Sequence, residues 1–256
     1  MKKIAILIAT LLVFSAMPLI SAQDTIVGPI ETEVVDAGVT PDSPFYGLER
    51  AMERLKLVFM RNKAERALYK IQMAEERLAE AEEMLIEDNL EAAQEAEEAH
   101  DEILEEAQQE AEEIESDDGA EVAEEDLEDV EKVQLSLLSH SEKVALVHNR
   151  ILERMATNNA SEEKLAHIGE VFAKIEAKSQ EMEQKVAEKR ELVRTRYKVL
   201  SEMNETELNE KEQAFLEKIE ATKQKRDETK EKIQQKIQVN ESDQETGNQT
   251  QKQSGQ

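Results

Sequence analysis

Apolar residues along this chain recur at intervals of three and four, and only rarely at two. Phe45, Leu48, Met52, Leu55 and Phe59 form one such series, the stripe of an amphipathic helix that would face a core. The pattern continues after Arg61-Asn62, where a bend is expected, through Ala64, Leu68, Ile71, Leu78 and Leu85. Asp88-Asn89 then reads as a polar turn or cap. A third helix follows, packed mostly on alanine: Ala93, Ala96, Ala99, Ala107 and Ala111, with Ile103, Leu104 and Ile114. Small residues let a neighbouring helix come close but bury little area each.

Ser116-Asp117-Asp118-Gly119 separates this helix from a fourth, about 120–156. The fourth helix carries Leu127, Val130, Leu137, Val144, Ile151 and Met155, with Gln134, Ser141 and His148 intruding. A fifth carries Leu165, Ile168, Phe172, Ile175, Met182, Val186 and Val193, interrupted by Ser179, Lys189 and Arg196. A sixth, about 205–238, carries Leu208, Phe215, Ile219, Ile233 and Ile237 and is polar from Thr222 to Lys230. Start signals accompany these stripes. Ser43-Pro44 offers an N-cap with proline at the first helical position. Asn159 with Glu162, and Asn204 with Glu207, read as capping boxes.

No proline follows Pro44, and alternating β-branched residues occur only briefly, around Ile26 to Val35. The spacing therefore predicts an all-α fold. Helices four to six would each be about 45–60 Å long at 1.5 Å per residue. Joined by short turns, they give elongated antiparallel hairpins, a bundle of about five to six helices. Interrupted stripes fit a bundle better than a long parallel coiled coil.

The two ends differ from this pattern. Lys2-Lys3, the apolar run Ile4–Ile20 and the small residues Ser21-Ala22 have the anatomy of a secretory signal peptide. The alternative is an uncleaved N-terminal anchor, because 17 residues is the lower edge of what spans a bilayer. Segment 23–39 reads as a flexible lead, 40–116 as a first helical domain and 117–238 as a long-helix antiparallel hairpin region. Segment 239–256, rich in Gln, Asn, Ser, Gly and Thr, reads as a disordered tail. The chain is expected to act outside the cytoplasm, with no membrane span left after cleavage.

Charge changes the picture in one respect. The net charge is −27, which disfavours nucleic acid and anionic lipid as partners and attracts cations. It is not spread evenly. Segment 46–70 has seven Lys/Arg against three Glu, whereas the stretch from Glu75 to Glu131 has 28 Asp/Glu against Arg77 alone. From 132 to 238 the charges balance. There are no cysteines, so stability rests on packing, association or ions rather than on disulfides.

Little in the sequence points to catalysis. It has no thiol, no Gly-rich phosphate loop, no nucleophile elbow and no HExxH motif. His100, His140, His148 and His167 fall on predicted helices, where a half-buried, hydrogen-bonded histidine is the simplest reading. Glu97 and His100 have the Glu-x-x-His spacing that puts two metal ligands on one helix face, and Asp101 adjoins them. A di-metal bundle site needs two such motifs and two further glutamates, so these three are weak metal candidates. The acidic belt supports weak divalent cation binding, and Ser116-Asp117-Asp118-Gly119 only faintly resembles a calcium loop. No dedicated cofactor is expected. Asn159, Asn204, Asn240 and Asn248 head Asn-x-Ser/Thr sequons, candidate glycosylation sites in an exported protein.

The segment Thr40-Pro41-Asp42-Ser43-Pro44-Phe45-Tyr46-Gly47-Leu48-Glu49-Arg50-Ala51 resembles the opening of the DUF5667 family. These are exported or membrane-attached helical proteins of archaea and bacteria, without an assigned function. The likeness continues through Ala74-Glu75-Glu76-Arg77-Leu78-Ala79-Glu80-Ala81 into the acidic third helix, covering about 39–115. The remaining half looks like the longer archaeal members. The family carries no catalytic residues to transfer. The resemblance implies an exported helical protein whose Phe45 and Tyr46 are available to dock on neighbouring helices.

These observations predict an exported, non-enzymatic binding or structural protein of the envelope or exterior. It would work through a protein partner or self-association along its helical faces, without nucleic acid. The alternative is an envelope Ca²⁺/Mg²⁺-binding protein that uses the Glu75 to Glu131 belt. A metal-dependent enzyme on a helical bundle ranks last.

Overall fold

A computed structural model describes residues 37–114, 119–158, 160–201 and 205–253, with side chains omitted at 119–123, 156, 205, 207 and 236–253. The expected signal peptide and most of the lead, 1–36, lie outside the described residues. Six helices make up most of the described residues: α1 Tyr46–Phe59, α2 Lys63–Glu87, α3 Leu90–Glu112, α4 Gly119–Thr157, α5 Glu162–Leu200 and α6 Glu205–Gln253. Among the described residues there is no strand, and no helix is long and apolar enough to cross a membrane.

The turns have local causes. Asp88 ends α2 in the left-handed region at φ 67°, which aspartate tolerates better than most residues. Asn89 then accepts a hydrogen bond from the Ala92 backbone N–H and caps α3. Asn62 does the same for α2 through the Glu65 N–H, at 2.9 Å, so the expected bend is a full break.

Two caps differ from expectation. Ser43 does not cap α1. Residues 40–45 form successive tight turns, with the Ser43 N–H bonded to the Thr40 carbonyl and the Tyr46 N–H to the Ser43 carbonyl. The helix therefore starts at Tyr46, with Phe45 at its N-cap and no side-chain cap, and Pro44 lies before it. The cap of α5 is Ser161, which accepts from the Lys164 N–H. This places the helix start two residues beyond Asn159, whose own position is outside the described residues, as is that of Asn204.

Helices α2, α3, α5 and α4 stand at the corners of a four-helix bundle. α2 packs on α3, α3 on α5, α5 on α4 and α4 on α2, while α6 packs along α4. Side-chain hydrogen bonds and ion pairs fix the directions. Asn62, Glu75 and Glu82 of α2 meet Asp129, Lys143 and Arg150 of α4 in the same order, so α2 and α4 are parallel. Glu97 and Glu105 of α3 meet Lys174 and Lys178 of α5, so α3 and α5 are parallel and opposed to the other pair. Helix α6 runs with α4. Phe215 and Ile219 pack on Leu138, and Ile233 packs on Ala145 and Leu152. Its polar middle is held by charge instead, Arg226 to Glu183 and Lys230 to Glu176, each at 2.8 Å.

The core divides into two apolar clusters. One runs from Leu57 and Ala64 through Ile103, Val130 and Val186 to Leu208. The other joins Leu78, Leu85, Val144, Ile151, Ile168, Phe172 and Ile175. The stripes expected of α2 to α5 are buried accordingly. Ala67, Ala74 and Ala81 of α2 and Ala93, Ala96, Ala107 and Ala111 of α3 are all fully buried. They let these two helices approach closely.

Helix α6 keeps a helical backbone to Gln253. The expected tail, 239–256, lies beyond the described side chains, and so do those of Asn240 and Asn248.

Candidate functional site

Helix α1 is seated opposite to the sequence expectation. Its apolar stripe faces outward: Phe45, Leu48, Met52, Leu55, Val58 and Phe59 are 50–76% exposed. The buried side is Tyr46, Glu53 and Leu57. The stripe was expected to face a core because amphipathic helices normally bury their apolar side. The reason for the reversal is on α2. Arg77, 1% exposed, lies under α1 and draws its polar side inward.

Arg77 Nη2 donates to Glu53 Oε1 at 2.6 Å, and Nη1 lies 3.1 Å from Glu80 Oε1. The guanidinium also stands over the Tyr46 ring, 5.2 Å from its centroid, a cation–π arrangement. A bridge from Arg50 of α1 to Glu102 of α3 adds a peripheral tie. Upstream, Glu49 accepts from the Val39 N–H and packs against Gly38. That residue sits at φ +62°, a left-handed conformation that glycine adopts without strain.

One arginine thus meets several acids in a dry place. Burial, opposed by Arg77, lifts Glu80 to about 8. Burial with the neighbouring Glu53 lifts Glu76 to about 7. Burial and the Glu53 and Glu76 charges push Tyr69 up to about 12. Burial alone would lower Arg77, but Glu80, Tyr46 and Glu53 outweigh it and hold the guanidinium firmly protonated. Near pH 7 Arg77 therefore stays charged beside a Glu80 that holds its proton.

A second polar group lies across the bundle between the two apolar clusters. His100 of α3 and His140 of α4 are fully buried, stacked with centroids 5.1 Å apart and with Nε2 atoms 3.0 Å apart. His100 Nδ1 is 2.9 Å from Asp101 Oδ1. A carboxylate only accepts, so His100 carries its proton on Nδ1 and receives one from His140 Nε2–H. That leaves the His140 Nδ1 lone pair buried without a partner. Burial, with the nearby Lys143 charge, holds His140 well below the usual histidine range, so it stays neutral. Ser179 and Ser141 complete this layer; Ser141 donates to Glu183 and Ser179 donates to the Ile175 carbonyl.

The metal candidates are thereby located. Glu97 is buried and pairs with Lys174 at 3.1 Å, whereas His100 and Asp101 pair with His140 and with each other. Among the described residues no group of three or more His, Asp or Glu is placed to hold a metal ion. Much of the acidic belt faces cations: Glu110 meets Lys63, Arg66 and Lys70. Burial opposes its ionisation, but these three bring it down to about 2. His148 stacks on Phe172 with centroids 4.5 Å apart, and His167 lines a shallow cleft with Asp88 and Lys164 at one end of the bundle.

Residues 38–139 match the family described as a domain of unknown function (DUF5667). The chain carries a DUF5667 domain. The domain takes in α1, α2, α3 and the first half of α4, and so reaches beyond the expected boundary near 116. It contains the whole Arg77 cluster, the exposed face of α1 and His100. No curated protein and no solved structure matches the chain. The sequence reading missed both the outward face of α1 and the Arg77 cluster. The available signal was Arg77 itself, the one base among 28 acids between 75 and 131.

Proposed function

We propose that this chain is a non-enzymatic binding module of the cell envelope or exterior, and that the outward face of α1 is its docking surface. The observation that carries this is the exposed apolar stripe on a helix held in place by a buried ion cluster. Scattered exposed apolar residues are ordinary, but a contiguous patch on a soluble fold marks an interaction site. The non-enzymatic reading is supported by the pairing of Glu97 with Lys174, His100 with His140 and Arg190 with Glu131. The bundle behind α1 serves as a rigid mount, and the signal-like N-terminus supports action outside the cytoplasm.

A photo-crosslinking residue placed at Leu55 tests the docking surface. In native envelope preparations it should give discrete adducts that the same residue at the exposed Glu220 on α6 does not. Equal patterns from the two positions, or no adduct from either, would refute the reading.

A further inference from the structure

The chemistry flanking the α1 stripe indicates its occupant. On a helical wheel at 100° per residue, Phe45, Leu48, Met52, Leu55, Val58 and Phe59 fall within a sector of about 140°. Lys56 borders that sector beside Phe45 and Arg54 borders it beside Val58, and Arg61 follows the end of the helix. All three cations are exposed. Lys56 lies over the Tyr69 ring, 3.9 Å from its centroid, and no ion pair joins Arg54 or Arg61 to a carboxylate among the described residues. A large apolar face with long cationic side chains on both margins is the pattern of a helix lying in the plane of a membrane interface. The stems lie along the apolar surface while the charged heads meet lipid phosphates.

Resting on the docking reading above, we propose that α1 binds the surface of an anionic lipid bilayer. The apolar stripe would enter the headgroup region, with Arg54, Lys56 and Arg61 on phosphates. A second copy of the chain is a poorer fit. Pairing two α1 faces would bring the exposed Arg54 and Lys56 of each copy to a shared rim, placing like charges there. The whole-chain charge of −27 acts against an anionic surface at long range. Charges beyond about 8 Å are screened at physiological salt, so the cations bordering the stripe decide the contact. The position in the chain agrees. The apolar run Ile4–Ile20, expected to meet a bilayer during export, precedes α1 by 25 residues.

The test uses the chain from residue 23 onward, so that the apolar run plays no part, with the fold checked by circular dichroism. The protein has no tryptophan, so Leu55→Trp supplies a single indole reporter. Vesicles of phosphatidylcholine with phosphatidylglycerol should shift its emission to the blue and carry the protein down on sedimentation. Phosphatidylcholine alone should do so at least tenfold less well, and added salt should release it. Leu55→Asp/Phe59→Asp changes exposed positions only and should cut partitioning at least tenfold while leaving the helical signal intact. Arg54→Gln/Lys56→Gln should weaken binding to the anionic vesicles selectively.

No association with anionic vesicles, or association unchanged in the double Asp variant, overturns the lipid proposal. If vesicles are ignored but sedimentation equilibrium shows a dimer that the double Asp variant abolishes, the docking surface stands and its occupant is a second copy. If the variant alters neither, and Leu55 yields no specific crosslink, both readings fall.

Discussion

Glu80→Gln should flatten the pH dependence of stability. Glu80 is fully buried and lifted from 4.5 to about 8, so the folded chain holds a proton there that the unfolded chain has released. The sign follows from linkage. A group whose folded-state value is raised contributes stability that is complete below the unfolded value and is lost as pH climbs through the folded value. Its full extent, at about 1.36 kcal/mol per decade, is about 5 kcal/mol. From pH 6 to pH 8 the part lost is about 2 kcal/mol. Glutamine keeps the neutral shape and cannot ionise. Relative to the parent chain, the variant should therefore gain about 2 kcal/mol between pH 6 and pH 8. Glu76 titrates in both proteins and cancels to first order. Urea unfolding followed by far-ultraviolet circular dichroism at the two pH values measures the gain. A difference between variant and parent that is the same at both would show that Glu80 is ionised in the folded chain, and that the cluster is not as dry as its geometry implies.

Other substitutions probe the remaining parts. Arg77→Met strands Glu53 beneath α1 and should cost about 3 kcal/mol, with residues around α1 losing amide-exchange protection first. His140→Leu removes the donor to His100 Nε2 and should cost about 1–3 kcal/mol; the double replacement of His100 and His140 by leucine should recover most of that loss in urea melts. Phe172→Ala opens the second apolar cluster and should lower stability by about 3–5 kcal/mol. Glu110, held near 2 by Lys63, Arg66 and Lys70, contributes stability that is present above its unfolded value and lost as pH falls through its folded one. Glu110→Gln should therefore reduce stability at neutral pH and much less in strong acid.

The sequence disclosed most of the bundle and little of the site. Stripes of Leu, Val, Ile and Phe on α2 to α5 could be read because core burial repeats every three or four residues and no proline interrupts it. Asn89 and Asp88 were legible as a turn for the same local reason. Caps were harder: the tight turns at 40–45 put the N-cap of α1 at Phe45 rather than Ser43, and that of α5 falls at Ser161 rather than Asn159. Helix α1 was misread because periodicity identifies two faces without saying which one meets the protein. That depended on Arg77, which is 24 residues from Glu53 in the chain and contiguous with it only after folding. The pairing of His100 with His140, 40 residues apart, is long-range in the same way. The spacing of Glu97 and His100 pointed to a shared helix face but not to their separate partners.

The seating of α1 is the claim on which the rest depends, and spin labelling tests it directly. The chain has no cysteine, so single cysteines at Leu55 and Leu57 each carry one nitroxide in an otherwise unlabelled protein. The structure predicts a mobile, solvent-accessible label at position 55 and an immobilised, protected one at position 57. The reverse result, with position 55 immobilised and 57 free, would mean that the apolar stripe faces the bundle and that no docking surface exists there.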